Sequence, residues 1–419
     1  MERTFYSHTV VLAACAAWAG CTDAAVDTAR APSSTPSADE ADSSAGNSNS
    51  NDDIGQDPPA RPLRVEVPTL TSLVSGAAGE PWSVQAARGY ATQATRPYLN
   101  GGFGSTTARC GLGGPVIAVT HLGDSGPGSL RHAVEEVEGP RTVVFEVSGA
   151  IAMQDEIDIE EPFLTIAGQT APAPGISLHH AGVVIRTREV CIQHLRIRVG
   201  DRRGDGTPYP PGSGDQIDAL SIRNNRGLDA LNNIIIDNVS LSWSSDEMFS
   251  FDRENIFDVT IRDTLMAEPL NDNLHDSGTH AYCALLASRA GLERVSFIAN
   301  VMAHCIRRSP RVDEGTVVLV NNFSYNPGVY AIQLFGNDPS EDLYSTLVGN
   351  WMAYPDEEAL RWAGNVDGNR GTVRALVQNF YTGADRTVRL YMDQNTSALG
   401  RPVHLNESAF QTTTTASEF

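Results

Sequence analysis

The sequence predicts an all-β fold, a parallel β-helix (a solenoid) with a short N-terminal capping helix. Three observations predict it. A phrase of β-branched and aliphatic residues, one polar residue at a fixed place and a further apolar residue recurs at 164–168, 190–195, 234–239, 259–263, 295–301, 318–323, 347–351 and 376–380. The last four copies hold Asn300, Asn322, Asn350 and Asn379, spaced by 22, 28 and 29 residues. That is the period of a strand-built repeat, whereas sandwich strands recur every ~8–12 residues. The copies also alternate less cleanly between apolar and polar than sandwich strands with asparagine turns would.

Stacking is the physical reason for such a repeat. One coil cannot bury the inner face of its own short strands. Coils stacked about 4.8 Å apart pair through their backbones. Asparagines at one place in successive coils are then expected to form an amide ladder.

Taken in order, the 419-residue chain begins with Arg3, an apolar run at 10–19 and small residues before Cys21. This is the pattern of an export signal over residues 1–21. Ala19-Gly20-Cys21 resembles the end of a bacterial lipoprotein signal, with Trp18 where leucine is usual. Lipid attachment at Cys21 and simple cleavage both stay open, and the apolar run is too short for an uncleaved span. The expected location is secreted or cell-surface, with an outer-membrane lipoprotein as the anchored case. Residues 22–62 are rich in Ser, Asn, Asp, Ala and Pro, the composition of a flexible tether. The β-helix domain is expected over 63–419.

Within that domain, 115–120 reads as a strand. Asp124-Ser125-Gly126-Pro127-Gly128-Ser129 reads as a turn leading to an N-cap. Leu130, Ala133, Val134 and Val137 have helical spacing and predict a short helix over the open end of the first coil. Residues 142–148 resume strand character. Residues 200–216 are crowded with Gly and Pro and predict a long excursion between coils, of the kind that builds a binding wall.

The formal charge of −21 argues against nucleic acid or an anionic membrane surface as the main partner. All 30 basic side chains are arginine, so mechanisms that need a lysine are excluded. Cys110, Cys191, Cys283 and Cys305 remain after the signal. Export permits disulfides, but the spacing matches no zinc motif, and buried free thiols are the expectation.

Two groups of acids lie on successive coils. Asp218 is placed at the start of one strand, and Asp246 with Glu247 follow the strand at 234–239. Strand spacing brings such side chains within several ångströms of each other. With Asp205 and Asp215 from the excursion, they make an oxygen-ligand cluster suited to Ca²⁺. Asp246 and Glu247, as strand neighbours, are expected on opposite faces. Arg307, Arg308 and Arg311 crowd one turn, repel each other and suit an anionic partner. His275, His280 and Tyr282 share one loop between these groups. Arg196 and Arg198 alternate with Leu195, Ile197 and Val199, so both face outward. They form either a solvated strand face or a groove for a polyanion.

These segments resemble the pectate lyases of polysaccharide lyase family 1. The likeness runs through 142–149, 165–172 and 240–247, then His280-Ala281-Tyr282, Arg308-Ser309-Pro310-Arg311 and Asn321-Asn322, spanning roughly 110–330. It implies a right-handed parallel β-helix that cleaves polygalacturonate by calcium-assisted β-elimination. It implies Arg308 as the base that takes the C5 proton, with Pro310 in register, and Asp218 and Asp246 as calcium carboxylates. A further family carboxylate falls on Ser250, leaving Glu247 as its substitute. The family's substrate-binding lysine falls near Ser277, and its second arginine falls on Asp313, leaving Arg311 as the stand-in.

Together with the residues read from the chain itself, the expected catalytic set is Arg308 and Arg311. The metal set is Asp218, Asp246, Glu247 and Asp215. The substrate set is Arg307, His275, His280, Tyr282, Arg196 and Arg198. The expectation is an exported, monomeric lyase acting on pectate or a related polyuronate with Ca²⁺. A non-catalytic or weakly active surface-tethered binder of acidic glycans is the alternative. A β-helix glycoside hydrolase is a further rival, and it would need carboxylates flanking the scissile bond.

Overall fold

The computed structural model describes residues 108–210, 217–252, 255–273, 275, 280–287, 292–334, 342–354, 376–379 and 388–398. The expected signal, tether and Cys21, together with Asp215 and Ser277, lie outside the described residues. Within them, strands form three parallel sheets of ten, nine and eight members. A full coil contributes one strand to each. Leu231–Asp237 lies in the first sheet, Ser240–Ser242 in the second and Glu247–Asp252 in the third, and Ile256–Arg262 returns to the first. Among the described residues only Val116–Val119 and Arg141–Phe145 are strands consecutive in sequence that pair; every strand pairs with its counterpart one coil away. This is a parallel β-helix.

The interior is built by register. Val190, Ile234, Val259, Val295 and Val317 stack in one row. Ile192, Ile236, Ile261, Phe297, Leu319 and Leu347 stack in the next. Both rows are buried. β-branched side chains suit this arrangement because they pack against identical neighbours above and below.

The corner between the first and second sheets is also regular. His194, Asn238, Asp263, Ala299, Asn321, Gly349 and Gln394 occupy one place in successive coils and all have φ between 51° and 65°. This left-handed residue turns the chain, and the next residue carries the ladder. Asn322 donates from Nδ2 to Asn350 Oδ1 (2.9 Å) and to the Phe297 carbonyl (2.8 Å). Its Oδ1 accepts from the Asn300 N–H (3.0 Å) and Nδ2 (3.1 Å). Asn350 repeats the pattern with Asn395. Thr264 continues the row, donating its N–H to Asn300 Oδ1 at 3.0 Å. The predicted fourth member was Asn379, and here the structure differs. Val377–Asn379 lies in the third sheet beside Ile332–Leu334, and Asn395 holds the rung. The local phrase is the same at both sites; pairing on either side decides which sheet it enters.

At the N-terminal end, His132–Glu136 forms a single helical turn packed on Val116–Val119 and Ile157–Ile159, burying Leu130, Ala133 and Val134. The fully buried Arg141 ties it down, donating to the carbonyls of Ala133 (3.0 Å) and Val134 (2.6 Å). The expectation of free thiols is overturned. Cys110 pairs with Cys191 and Cys283 with Cys305. Stacked coils bring their Cα atoms to 5.7 and 5.6 Å despite separations of 81 and 22 residues. No helix among the described residues is long and apolar enough to cross a membrane.

Candidate active site

One end of the third sheet gathers chemistry from several coils. Leu220 pairs with Phe249 and Ser221 with Ser250, so Asp218, two residues ahead of its strand, falls beside Glu247. Asp218 is buried. Its Oδ1 accepts the Glu247 N–H at 3.0 Å, and its Oδ2 accepts the Ser250 hydroxyl at 2.5 Å and Arg223 Nη2 at 2.9 Å. Ser250 supplies no charge and instead fixes the acid opposite it.

Carboxylate oxygens of Asp218, Asp246 and Glu247 lie within 4.8 Å of one another. Asp246 and Glu247 therefore do not point to opposite faces as expected. Asp246 sits in the turn before the Glu247–Asp252 strand, where strand alternation does not apply. Burial, and then the field of Asp246, push the Asp218 carboxyl up to about 6, against the pull of Arg223 and Ser250.

Tyr282 opens the next strand of this sheet, facing Glu247 on one side and Arg307 on the other. The Arg308 guanidinium lies against the Glu247 carboxylate and over the Tyr282 ring, 4.4 Å from its centroid. The Arg308 N–H donates to Gln333 Oε1 at 2.9 Å, fixing a residue whose φ is 61°. Burial, and then the Arg311 charge, push Arg308 down to about 10, while Asp246, Asp313 and Asp218 pull it upward. The three arginines do not share one anion. Arg311 grips Asp313 at 2.6 and 2.7 Å, and Arg307 lies over Tyr330, 5.6 Å from the centroid.

His275 and His280 stack at 3.6 Å, and His280 lies on Tyr282 at 3.7 Å. His275, His280, Tyr282 and Arg308 thus form one column of planar groups beside the carboxylates. His280 Nε2 is 2.7 Å from Asp246 Oδ1, and His275 Nε2 is 3.8 Å from it. Asp246, His275 and His280 make a second group whose ligand atoms lie within 4.8 Å of one another. The Cys283–Cys305 disulfide joins the coil of Tyr282 to that of Arg308.

Other expected members lie elsewhere. Arg196 and Arg198 are in the second sheet, with Ile197 buried between them. Arg196 donates to the Pro174 carbonyl (2.7 Å) and Arg198 to the Ser240 carbonyl (2.7 Å) and hydroxyl (2.8 Å). Their alternation was legible, but neither joins the cluster. Asp205 is exposed and closes its own turn, accepting from the Thr207 N–H (2.8 Å) and hydroxyl (2.6 Å). Sequence reasoning passed over Arg223 and Gln333. Arg223 ends the strand that Asp218 precedes, five residues on in the same coil, whereas Gln333 lies one coil away from Arg308, a register fixed only once the strands are paired.

A β-helix with buried carboxylates and an arginine at one sheet end defines a solenoid carrying a candidate acid–base site. No protein-family model matches the chain. It is homologous to proteins named "Probable pectate lyase C". The protein of Aspergillus fumigatus is 32% identical over 252 residues, 60% of this chain and 52% of that one. That of Emericella nidulans is 36% identical over 233 residues, 54% and 47% of the two chains. The chain thus spans about half the length of the curated relatives it matches. Among solved structures, a Bacillus sp. N165 pectate lyase in complex with trigalacturonate aligns with TM-score 0.47 and 13% identity, covering 74% of this chain and 86% of that one. The major allergen of cedar pollen, jun a 1, aligns with TM-score 0.46 and 17% identity, covering 80% and 91%.

Proposed function

We propose that this protein is an exported polysaccharide lyase that cleaves pectate or a related polyuronate by calcium-assisted β-elimination. The observation that carries the proposal is the placement of Arg308, half-buried against Glu247 in a cluster of three converging carboxylates, with its guanidinium pushed down to about 10. An ordinary guanidinium keeps its proton. One that burial has moved toward neutrality is better suited to accept a proton from carbon. In the reaction the C5–H bond breaks as the neutral form of Arg308, its own proton first given up to solvent, takes the proton. The C4–C5 double bond forms, the C4–O4 bond breaks, and O4 leaves with a proton from solvent. Tyr282 and Gln333 orient Arg308. Glu247 is placed to stabilise it once it is protonated.

The donor set fits calcium. Three hard carboxylates converge, and the Asp218 carboxyl is raised first by burial and then by the field of Asp246, both of which a bound dication would offset. Asp218, Asp246 and Glu247 would hold the ion. Bound there, calcium would draw charge from the sugar carboxylate and acidify C5–H. The two disulfides support export to an oxidising compartment, with an N-terminal signal and a lipid on Cys21 or simple cleavage as part of the same proposal. The partner is an acidic polysaccharide, bound by a monomer.

The pairing of Arg308 with Glu247, and the Ser250 hydroxyl in a carboxylate's place, favour a second reading as a weakly active or non-catalytic binder of acidic glycans. One experiment separates the two. Polygalacturonate with calcium should give the ultraviolet absorbance of an unsaturated uronide, and chelator should abolish it. Arg308→Ala should remove the signal with unchanged far-ultraviolet circular dichroism. Full activity in Arg308→Ala would end the lyase proposal in this form. Calcium-dependent retention on pectate without turnover would select the binder, and saturated reducing ends would select a hydrolase.

A further inference from the structure

Trp243 is exposed to 44%, where most large apolar side chains among the described residues are covered. It also has φ of 67°, a left-handed backbone that bulky residues rarely adopt. Two backbone hydrogen bonds hold it there. Its N–H donates to the Glu268 carbonyl at 3.1 Å, and its own carbonyl accepts the Gly200 N–H at 2.9 Å. The same corner is left-handed in the three coils that follow and is filled there by Glu268, His304 and Asn326, all polar residues. Tryptophan stands there only in the coil whose turn runs on to Asp246 and Glu247. Its indole makes no hydrogen bond, ring stack or cation contact among the described residues, so no contact of these kinds accounts for it. Glu268, next along the row, is engaged by His304 Nδ1 at 2.5 Å. Strain of this kind persists where the surroundings over-determine it, and it concentrates at sites of ligand contact.

We infer that Trp243 is a stacking subsite for a hexuronate ring flanking the carboxylate cluster, an inference that rests on the polyuronate reading above. A pyranose presents an apolar C–H face and a polar rim. The exposed indole offers a flat apolar face and one N–H donor to match. Asp246 lies three positions on from Trp243, at most ~11 Å of chain, a span that an oligosaccharide covers. One sugar therefore lies at the carboxylates while a neighbour stacks on the indole. The subsite selects an extended polymer over a single uronate.

The test uses the full chain carrying Arg308→Ala, so that no turnover disturbs binding, with calcium present. Tryptophan emission and calorimetry are followed as trigalacturonate and hexagalacturonate are added. Trp243→Gly, which suits the left-handed backbone, should weaken hexagalacturonate binding roughly three- to ten-fold without lowering the melting temperature. Trp243→Phe should stay within about two-fold of the parent. In the Arg308-containing protein, Trp243→Gly should raise KM and leave kcat nearly unchanged. Equal affinity of Trp243→Gly and parent overturns the inference, as does an equal loss in the Phe and Gly variants. These outcomes are independent of turnover. Binding that depends on Trp243 in a protein that never yields the unsaturated product would sink the lyase proposal alone. Elimination indifferent to Trp243 would sink this inference alone.

Discussion

The Arg308 guanidinium rests on the ring of Tyr282, 4.4 Å from its centroid, and the two residues come from adjacent coils of one sheet. The contact places a cation over a π face and fixes the direction of the guanidinium toward Glu247. Tyr282→Ala should therefore lower kcat about ten-fold while KM moves little, because the lost contact orients a group and does not bind sugar. Tyr282→Phe keeps the ring and should retain most of the rate. Initial rates of ultraviolet product formation check both, and a large KM change with constant kcat would refute the orienting role.

The asparagine ladder makes a stability prediction. Asn322 is buried and uses both its amide donors and its acceptor. Asn322→Ala takes the side-chain partner from the Asn300 N–H and the Phe297 carbonyl, leaves Asn350 Oδ1 only the backbone N–H of residue 322, and should cost about 3 kcal/mol. Urea unfolding followed by circular dichroism measures it. A loss within the error of the fit would mean that the ladder is an ornament of the fold and not a support.

Asp263 gives a pH prediction with a definite sign. Burial, and then the field of Asp237, push its carboxyl up to about 6, with Arg262 opposing. Below about pH 4 both folded and unfolded states hold the proton and nothing is lost. Between about 4 and 6 the unfolded chain releases it while the folded one keeps it, so this group's contribution to stability falls as pH rises, and the deficit persists above. Asp263→Asn keeps the shape and suits the φ of 51°. It should match the parent near pH 4 and gain about 1–2 kcal/mol near pH 7, after discount for partial solvent screening. Thermal melts at both pH values check it, and a gain of equal size at each would contradict the assignment.

The Cys283–Cys305 bridge closes 22 residues of chain, which in the chain-entropy picture contributes about 3 kcal/mol. It also joins the coil that begins with Tyr282 to the coil that carries Arg308. Replacing both cysteines by serine should lower the melting temperature and kcat together. The Cys110–Cys191 pair, remote in sequence from Arg308, should lower the melting temperature alone when replaced. Equal catalytic loss in both double variants would show that the effect is general unfolding.

The coil architecture was legible because its cause is local: a short apolar phrase, a turning residue and a rung asparagine recur in one order. Asp246 and Arg308 were legible for the same reason, since each follows such a phrase by seven residues, whereas Asp218 was read from the strand it begins. What escaped the sequence depended on which strand pairs with which. Asn379 and Asn395 follow similar apolar strands, and only sheet membership separates them. The disulfides join cysteines whose separations, 81 and 22 residues, fit no motif, and only the folded coils bring them together. The divergence expected of Asp246 and Glu247 failed because the strand begins between them.

The rung asparagines also bear on how this molecule can change. Asn300 to Asn322, Asn322 to Asn350 and Asn350 to Asn395 span 22, 28 and 45 residues, yet each step closes with the same amide geometry. The spine is therefore indifferent to how much chain is spent between rungs. Lineages can lengthen, shorten or exchange the segments between rungs without re-tooling the scaffold.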